Sequence, residues 1–156
     1  MVEIMNVASG VPLHFFDLAT SLHEVRSAIA VGVLEQHMKL IVVDFVQLIS
    51  LPNSRTNDTG KMDVIMRTLQ QLAKRLGVHI VILSQLTKSA DLKRPKLNQL
   101  LGSGSLEQMI RTGVAVWNDK DSSSQYRDAL VCVMKGAQGT GEVECRYDTL
   151  RQRFMR

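Results

Sequence analysis

Asp44 is the first residue whose position suits chemistry on a ligand. It comes directly after residues 40–43, which are all Leu, Ile or Val. An apolar run of this kind is typical of a strand, and open α/β sheets bind ligands at the carboxyl ends of their strands. A carboxylate there can hold Mg²⁺ directly or through its water shell. The alternative is an incidental aspartate at a strand end, which is a common pattern.

Gln85 occupies a similar position after a second apolar run. Residues 78–83 are mostly Val, Ile and Leu, and Ser84 and Gln85 follow them. If the two runs form neighbouring parallel strands, Gln85 lies near Asp44 at the same edge of the sheet. A glutamine there can orient a water molecule, or contact a phosphate and report its presence. The alternative is an ordinary helix cap or loop hydrogen bond.

One helix is predicted before the first of these runs, and a second helix is predicted between the two. Ser21 and Glu24 have the spacing of a capping box, and apolar residues at helical spacing continue to about Met38. A second helical pattern covers residues 62–76, and Gly77 follows it as a C-terminal stop. Each helix therefore connects one apolar run to the next.

The predicted fold class is α/β. Strands are predicted at residues 11–16, 40–46 and 78–83, and they alternate with the two helices. This order predicts a mainly parallel sheet flanked by helices, with right-handed crossovers. The runs are apolar without interruption, which predicts strands buried on both faces.

The last third of the chain predicts an antiparallel β-hairpin. After a short strand at residues 114–117, residues 129–134 and 142–147 flank a glycine-rich turn at residues 136–141. A turn centred between Gln138 and Gly139 would place Cys132 opposite Cys145. Two cysteines are too few for a disulfide framework, and we expect both to be reduced.

Composition limits the class of protein. The 156 residues are enough for one domain with a single core, and 45% of them are hydrophobic. No apolar run approaches the roughly 18 residues of a membrane span, so we expect a cytoplasmic protein. The net charge of +4 permits binding to nucleic acid without indicating it strongly. Aromatic residues make up only 4%, which leaves base stacking unsupported.

Residues 85–105 form a long, basic connection. It contains several basic residues and one acidic residue, Asp91; the basic residues include Lys88, Lys93, Arg94 and Lys96. Long connections are usually functional, and basic side chains suit a phosphate backbone. A solvated, charged loop is the alternative interpretation.

Several segments, in the same order, resemble motifs of the DnaB-type replicative DNA helicases. Residues 40–49 (LIVVDFVQLI) resemble the family's Walker B segment, and residues 82–86 (ILSQL) resemble the next motif. Residues 93–95 (KRP) and 103–108 (SGSLEQ) resemble the motif after that, which includes a loop that contacts DNA. Later positions also match, namely Asn118, Asp119, Lys135, Arg153 and Phe154.

The resemblance implies a RecA-like P-loop NTPase core with a C-terminal antiparallel hairpin, together with ATP and Mg²⁺ as cofactors. It implies single-stranded DNA as partner and a homo-oligomer, a hexamer for the complete family protein. Asp44 would bind Mg²⁺, Gln85 would sense the γ-phosphate, and Lys135 would reach the neighbouring subunit's nucleotide. The DNA-binding residues would be Lys93, Arg94, Ser103 and Gly104.

The chain also departs from the family pattern. No Gly-x-x-x-x-Gly-Lys-Ser/Thr motif, which supplies the backbone nest for phosphates, occurs in the 156 residues. Ala137 stands where the family has an arginine finger, and Leu101 and Gly102 stand where it commonly has a charged pair. We therefore expect one partial RecA-like domain over residues 1–156 that is inactive alone. The alternative is a non-catalytic RecA-like module that binds DNA or a helicase partner.

Overall fold

The computed structural model describes residues 13–52, 57–85, 104–119 and 122–156. The chain divides into two compact units, Met1–Ser84 and Gln85–Arg156. Helix α1 (Leu22–Gln36), strand β1 (Leu40–Val43), helix α2 (Asp58–Leu76) and strand β2 (His79–Ile82) belong to the first unit. Helix α3 (Gly104–Met109) and strands β3 (Gly113–Asn118), β4 (Tyr126–Lys135), β5 (Gly141–Asp148) and β6 (Arg153–Met155) belong to the second.

Both predicted helices of the first unit are confirmed, together with the capping box at Ser21 and the C-terminal stop at Gly77. The Ser21 hydroxyl accepts from the Glu24 N–H, and the Glu24 carboxylate accepts from the Ser21 N–H at 2.8 Å. That backbone hydrogen bond is the main cause that lowers the pKa of Glu24. Helix α2 begins after Asn57, whose side chain accepts from the Gly60 N–H, and it ends at Gly77 in the left-handed conformation.

The first unit has a parallel pair of strands, as predicted. In the register of β1 and β2, Leu40 lies opposite His79 and Val43 lies opposite Ile82. Helix α2 packs against β2 and α1. The core of this unit is built largely from α2 together with the segments around it, and its buried side chains are Leu22, Ile29, Val46, Met62, Ile65, Met66, Leu69 and Val78.

The prediction that both strand faces are buried is wrong for the part of the unit that the structure describes. Alternate residues of β1 remain exposed, with Leu40 58% and Val42 57% accessible. Val81, which lies opposite Val42, is 44% accessible. The described helices therefore shield one face of the strand pair and leave the apolar side chains of the other face in contact with solvent.

Two strand boundaries also differ from the predictions. Strand β1 ends at Val43, because the chain turns at Asp44 and Phe45 and continues as a 3₁₀ turn over Val46–Leu48. In residues 13–16, which are the described part of the first predicted strand, only Phe15 makes an isolated bridge. Residues 11 and 12 lie outside the described part.

The second unit contains an antiparallel sheet in the order β3-β4-β5-β6. The predicted strand after residue 113 and the predicted hairpin are both confirmed. One face of the sheet carries a small apolar core, in which Trp117 and Met134 pack against buried side chains. Those buried members are Ala115, Leu130 and Cys132.

The predicted pairing of the two cysteines is wrong. Cys132 lies opposite Glu142, and Cys145 lies opposite Ala129. The turn is closed by the Gly139 N–H, which donates to the Gly136 carbonyl at 3.2 Å, so it is centred earlier than expected. Because Cys145 is three residues beyond Glu142, its side chain is on the opposite face of the sheet from Cys132. Both cysteines are free.

Candidate functional site

The site is built on the carboxyl ends of β1 and β2. The two strands are parallel and in register as far as Val43 and Ile82, so both end at the same edge of the pair. Asp44 follows β1 directly and is exposed at this edge. Ser84 lies two residues beyond the end of β2. The structure thus brings Asp44 and the residue before Gln85 to one edge, where α/β sheets bind ligands.

Short-range hydrogen bonds hold the two strand ends together. The Leu83 N–H donates to the Val43 carbonyl at 2.9 Å, and the Leu83 carbonyl accepts from the Val46 N–H at 3.0 Å. Val46 is fully buried and anchors the 3₁₀ turn that follows Asp44. Asp44 therefore sits on a short bend that is fixed at both ends.

A side-chain hydrogen bond extends this link by one residue. Gln47 Nε2 donates to Ser84 Oγ at 2.8 Å in a partly buried position. Reasoning from the sequence missed this contact, because no periodic pattern connects two residues that are 37 positions apart. The only signal in the sequence was that Gln47 follows Asp44 by three residues and Ser84 precedes Gln85.

Asp44 has donor chemistry that could hold Mg²⁺. Asp44 offers a hard carboxylate oxygen at the strand edge. Among the residues that the structure describes, no group of three or more His, Cys, Asp or Glu side chains could form a protein cage for a metal. Mg²⁺ is commonly held by one or two carboxylates together with substrate phosphates, whereas structural zinc needs four protein ligands.

Gln85 is the first residue of the second unit, and its side chain is exposed. The predicted DNA-binding residues Lys93, Arg94 and Ser103 lie outside the described residues. Gly104 is described as the first residue of α3. The end of the predicted long connection is therefore helical, which the sequence did not indicate.

Lys135 is the last residue of β4, and its side chain is held within its own unit. Its Nζ donates a hydrogen bond to the carbonyl of Glu107 in α3. Helix α3 thus joins Gly104, where the predicted DNA-contacting segment ends, to the lysine of the hairpin. A cation beside the last carbonyls of a helix is favourable, because those carbonyls carry partial negative charge.

Ala137 lies at the exposed tip of the hairpin. The turn from Gly136 to Gly139 places it there, and Gly139 has a φ of 103°, which favours glycine. A methyl group has no donor for a phosphate oxygen. The described hairpin therefore presents a lysine at its base and no cation at position 137.

No helix in the described ranges is long and apolar enough to cross a membrane.

Comparison with known proteins identifies the family. All 156 residues match the DnaB-like helicase C terminal domain. The replicative DNA helicase DnaB of Buchnera aphidicola subsp. Schizaphis graminum is 45% identical over 111 residues, which cover 68% of this chain and 24% of the relative. The replicative DNA helicase DnaB of Mycoplasma pneumoniae is 28% identical over 136 residues, which cover 83% of this chain and 29% of the relative. The chain thus spans less than a third of the length of these curated relatives.

Solved structures support the same fold. A DnaB-like replicative helicase, described together with its interactions with primase, matches with a TM-score of 0.74 over 90% of this chain and 37% of its own. A second solved structure, that of an ATPase domain, matches with a TM-score of 0.72 over 87% of this chain and 51% of its own. Their TM-scores support the RecA-like fold, and because both are only 24% identical to this chain, they support the fold alone. With the match over all 156 residues, these findings show that the chain belongs to the DnaB-like helicase C-terminal domain family.

Proposed function

We propose that this chain is part of an ATP-dependent replicative DNA helicase motor, which acts in the cytoplasm as a homo-hexamer. In the complete motor, ATP hydrolysis at subunit interfaces would drive translocation on single-stranded DNA. We also propose that the two units belong to one partial RecA-like domain, since a single family match covers both of them. The observation that carries the proposal is the parallel register that brings Asp44 and Ser84 to one edge.

The proposed roles follow from position and donor chemistry. Asp44 would hold Mg²⁺, which neutralises charge on the phosphates when it is bound. Gln85, with an amide at the end of a strand, would contact the γ-phosphate. Lys135, at the end of β4, would exchange its bond to the Glu107 carbonyl for the nucleotide of a neighbouring subunit. Lys93, Arg94, Ser103 and Gly104 would contact the DNA backbone.

A second candidate is a non-catalytic RecA-like module that binds DNA or a helicase partner. Two observations favour it for the chain as it stands. Ala137 occupies the hairpin tip, where a cation would stabilise the transition state. The 156 residues contain no Gly-x-x-x-x-Gly-Lys-Ser/Thr motif to cradle phosphates.

The experiment that tests the DNA-binding part is a titration of the purified chain with fluorescent single-stranded oligonucleotides. We expect weak binding that is indifferent to base sequence and falls as salt rises, because phosphate contacts release counterions. Replacing Lys93 and Arg94 together by glutamine should weaken binding. It should also reduce the slope of log K against log salt by about 0.7 for each phosphate that is no longer neutralised.

The matched control replaces Lys74 and Arg75 by glutamine. These two basic residues are also adjacent, and they lie in the last turn of α2. The control removes the same charge as the replacement of Lys93 and Arg94. A general electrostatic effect would therefore lower the affinity for DNA equally in both variants. Binding that does not change with salt, that prefers one base sequence, or that depends equally on the two pairs would overturn the proposed DNA contact.

A further inference from the structure

The hydrogen bond between Gln47 and Ser84 connects two segments that have separate proposed roles. Gln47 lies within the 3₁₀ turn that follows Asp44. Ser84 is joined by a peptide bond to Gln85. The contact is between two side chains, is partly buried and measures 2.8 Å. It therefore links the turn after Asp44, the proposed Mg²⁺ ligand, to the residue before Gln85, whose amide is proposed to contact phosphate.

The bond lies one residue beyond the backbone hydrogen bonds of Leu83. The backbone pairs described between these ends reach Leu83, which both donates to Val43 and accepts from Val46. The side-chain bond acts on Ser84, one residue further toward Gln85. Without it, the peptide that enters Gln85 would lose a direct link to the turn after Asp44.

We propose that Gln47 is a positioning residue, which holds Ser84 against the turn after Asp44 and thereby steadies the peptide that leads into Gln85. This inference rests on the proposed function, in which Asp44 and Gln85 act on the same nucleotide. Two groups that address one phosphate must keep their separation closely, and a misplacement of about 1 Å can cost roughly 100-fold in rate. Sites are held at that precision by hydrogen bonds from supporting side chains.

The proposal can be separated from a purely structural role. If Gln47 only contributes packing, its loss lowers the melting temperature and leaves the local order of Gln85 unchanged. If it positions Gln85, the loss of either partner loosens the same peptide, and losing both partners adds nothing further. The relevant quantity is the backbone order parameter of Ser84 and Gln85 from ¹⁵N relaxation.

The experiment compares the 156-residue wild type with Gln47→Leu, Ser84→Ala and the double variant. We expect order parameters near 0.85 at Ser84 and Gln85 in the wild type, and lower values at both residues in all three variants. Ser84→Thr keeps a hydroxyl and should retain the wild-type value. Gln36→Leu is the matched control, because Gln36 is an exposed glutamine at the end of α1; it should leave Gln85 unchanged.

Several outcomes would overturn the inference. They are a mobile Gln85 backbone in the wild type, an ordered one in Ser84→Ala, or an equal loss of order in Gln36→Leu. If Gln47→Leu unfolds, Ser84→Ala still decides, because it removes only the accepting hydroxyl. The proposed function fails separately, through the DNA titration, and that result does not alter the relaxation measurement.

Discussion

The Asp148 carboxylate is fully buried and receives a hydrogen bond from Arg151 Nη1 at 3.1 Å. The backbone N–H groups of Leu150 and Arg151 donate to its other oxygen at 3.1 and 3.3 Å, and Gln125 Nε2 also donates to that oxygen at 3.3 Å. Burial acts to raise the pKa of Asp148, but these hydrogen bonds outweigh it and lower the pKa overall. Asp148 thus organises the turn between β5 and β6.

We expect this carboxylate to make the hairpin unit sensitive to acid. A carboxyl group whose pKa is lowered by folding contributes stability above its unfolded pKa, near 3.9, and loses it as the pH falls through the folded pKa. The difference in melting temperature between wild type and Asp148→Asn should be constant from about pH 7 to 5 and should close below about pH 4. Asp128→Asn, an exposed aspartate of β4, is the control. A difference that widens in acid would contradict the assignment.

The chain alone should hydrolyse no ATP above background. The reason is that its 156 residues contain no Gly-x-x-x-x-Gly-Lys-Ser/Thr motif to hold the phosphates. Phosphate release should be measured with and without single-stranded DNA. Steady turnover that disappears in Asp44→Asn would show that the prediction is wrong.

Ala137 should limit turnover wherever the rest of the motor is supplied. We expect that, in a chimera in which this chain replaces the matching segment of a DnaB relative, Ala137→Arg raises the rate by about 10³-fold or more, the usual value of an arginine finger. Gln138→Arg places the same charge one residue later in the turn and should give no such gain. Equal rates in the two variants would indicate a general effect of charge at the hairpin tip.

The register of the hairpin can be tested by cross-linking. Cys132 lies opposite Glu142, so Glu142→Cys should form a disulfide with Cys132 under mild oxidation. Directly opposed residues have Cβ atoms about 4.5–5.5 Å apart, a separation that small movements adapt to a disulfide. Cys145, which lies opposite Ala129, should not react with Cys132. Mass mapping of the oxidised wild type would refute this register if it found a bond between Cys132 and Cys145.

The hairpin also shows where prediction from sequence stops. Its strands were predictable from β-branched runs around glycines. Its register was not, because Gly136, Gly139 and Gly141 each tolerate turn conformations, and a small shift of the turn changes every cross-strand partner. The strands of the first unit were predictable for a similar reason, but their burial was not. Apolar composition reports the hydrophobicity of Leu40 and Val42, whereas burial depends on what packs against them.

The candidate site was predictable where chemistry and strand ends coincide. Asp44 was identified because a carboxylate follows an apolar run, and the structure places it at the expected edge. The contact between Gln47 and Ser84 depends on the path of the chain after Asp44. That path includes a turn and a 3₁₀ segment where a longer strand had been predicted.

The exposed apolar face of the strand pair, and the edge of β2 that is unpaired among the described residues, should make the isolated chain associate with itself or remain marginally stable. In the described part of the chain, β2 pairs only with β1, and Val81 and Leu83 are 44% and 43% accessible. Unpaired strand edges seek partners, and each unsatisfied buried backbone group costs about 1–3 kcal/mol. That cost is large against a total stability of roughly 5–15 kcal/mol.

Light scattering after size exclusion, with hydrogen exchange of residues 78–83, measures this directly. Val81→Lys should reduce association, because a charge on such a strand opposes pairing. Val64→Lys, which changes a comparably exposed valine on α2, should not. A stable monomer with fast exchange at residues 78–83 would contradict the prediction.

The ends of α1 and α2 have the same backbone geometry but different residues. His37 has a φ of 55° and Gly77 a φ of 64°, and each N–H donates back to its own helix. Left-handed backbone costs a residue with a side chain about 1–2 kcal/mol, whereas glycine adopts it freely. The two helix-to-strand crossovers therefore differ in mutational robustness. Replacing His37 by glycine can therefore stabilise the folded chain. The gain is reduced by about 0.4–1 kcal/mol, because glycine gives the unfolded chain more conformational freedom. Position 77 already has the residue that its geometry favours.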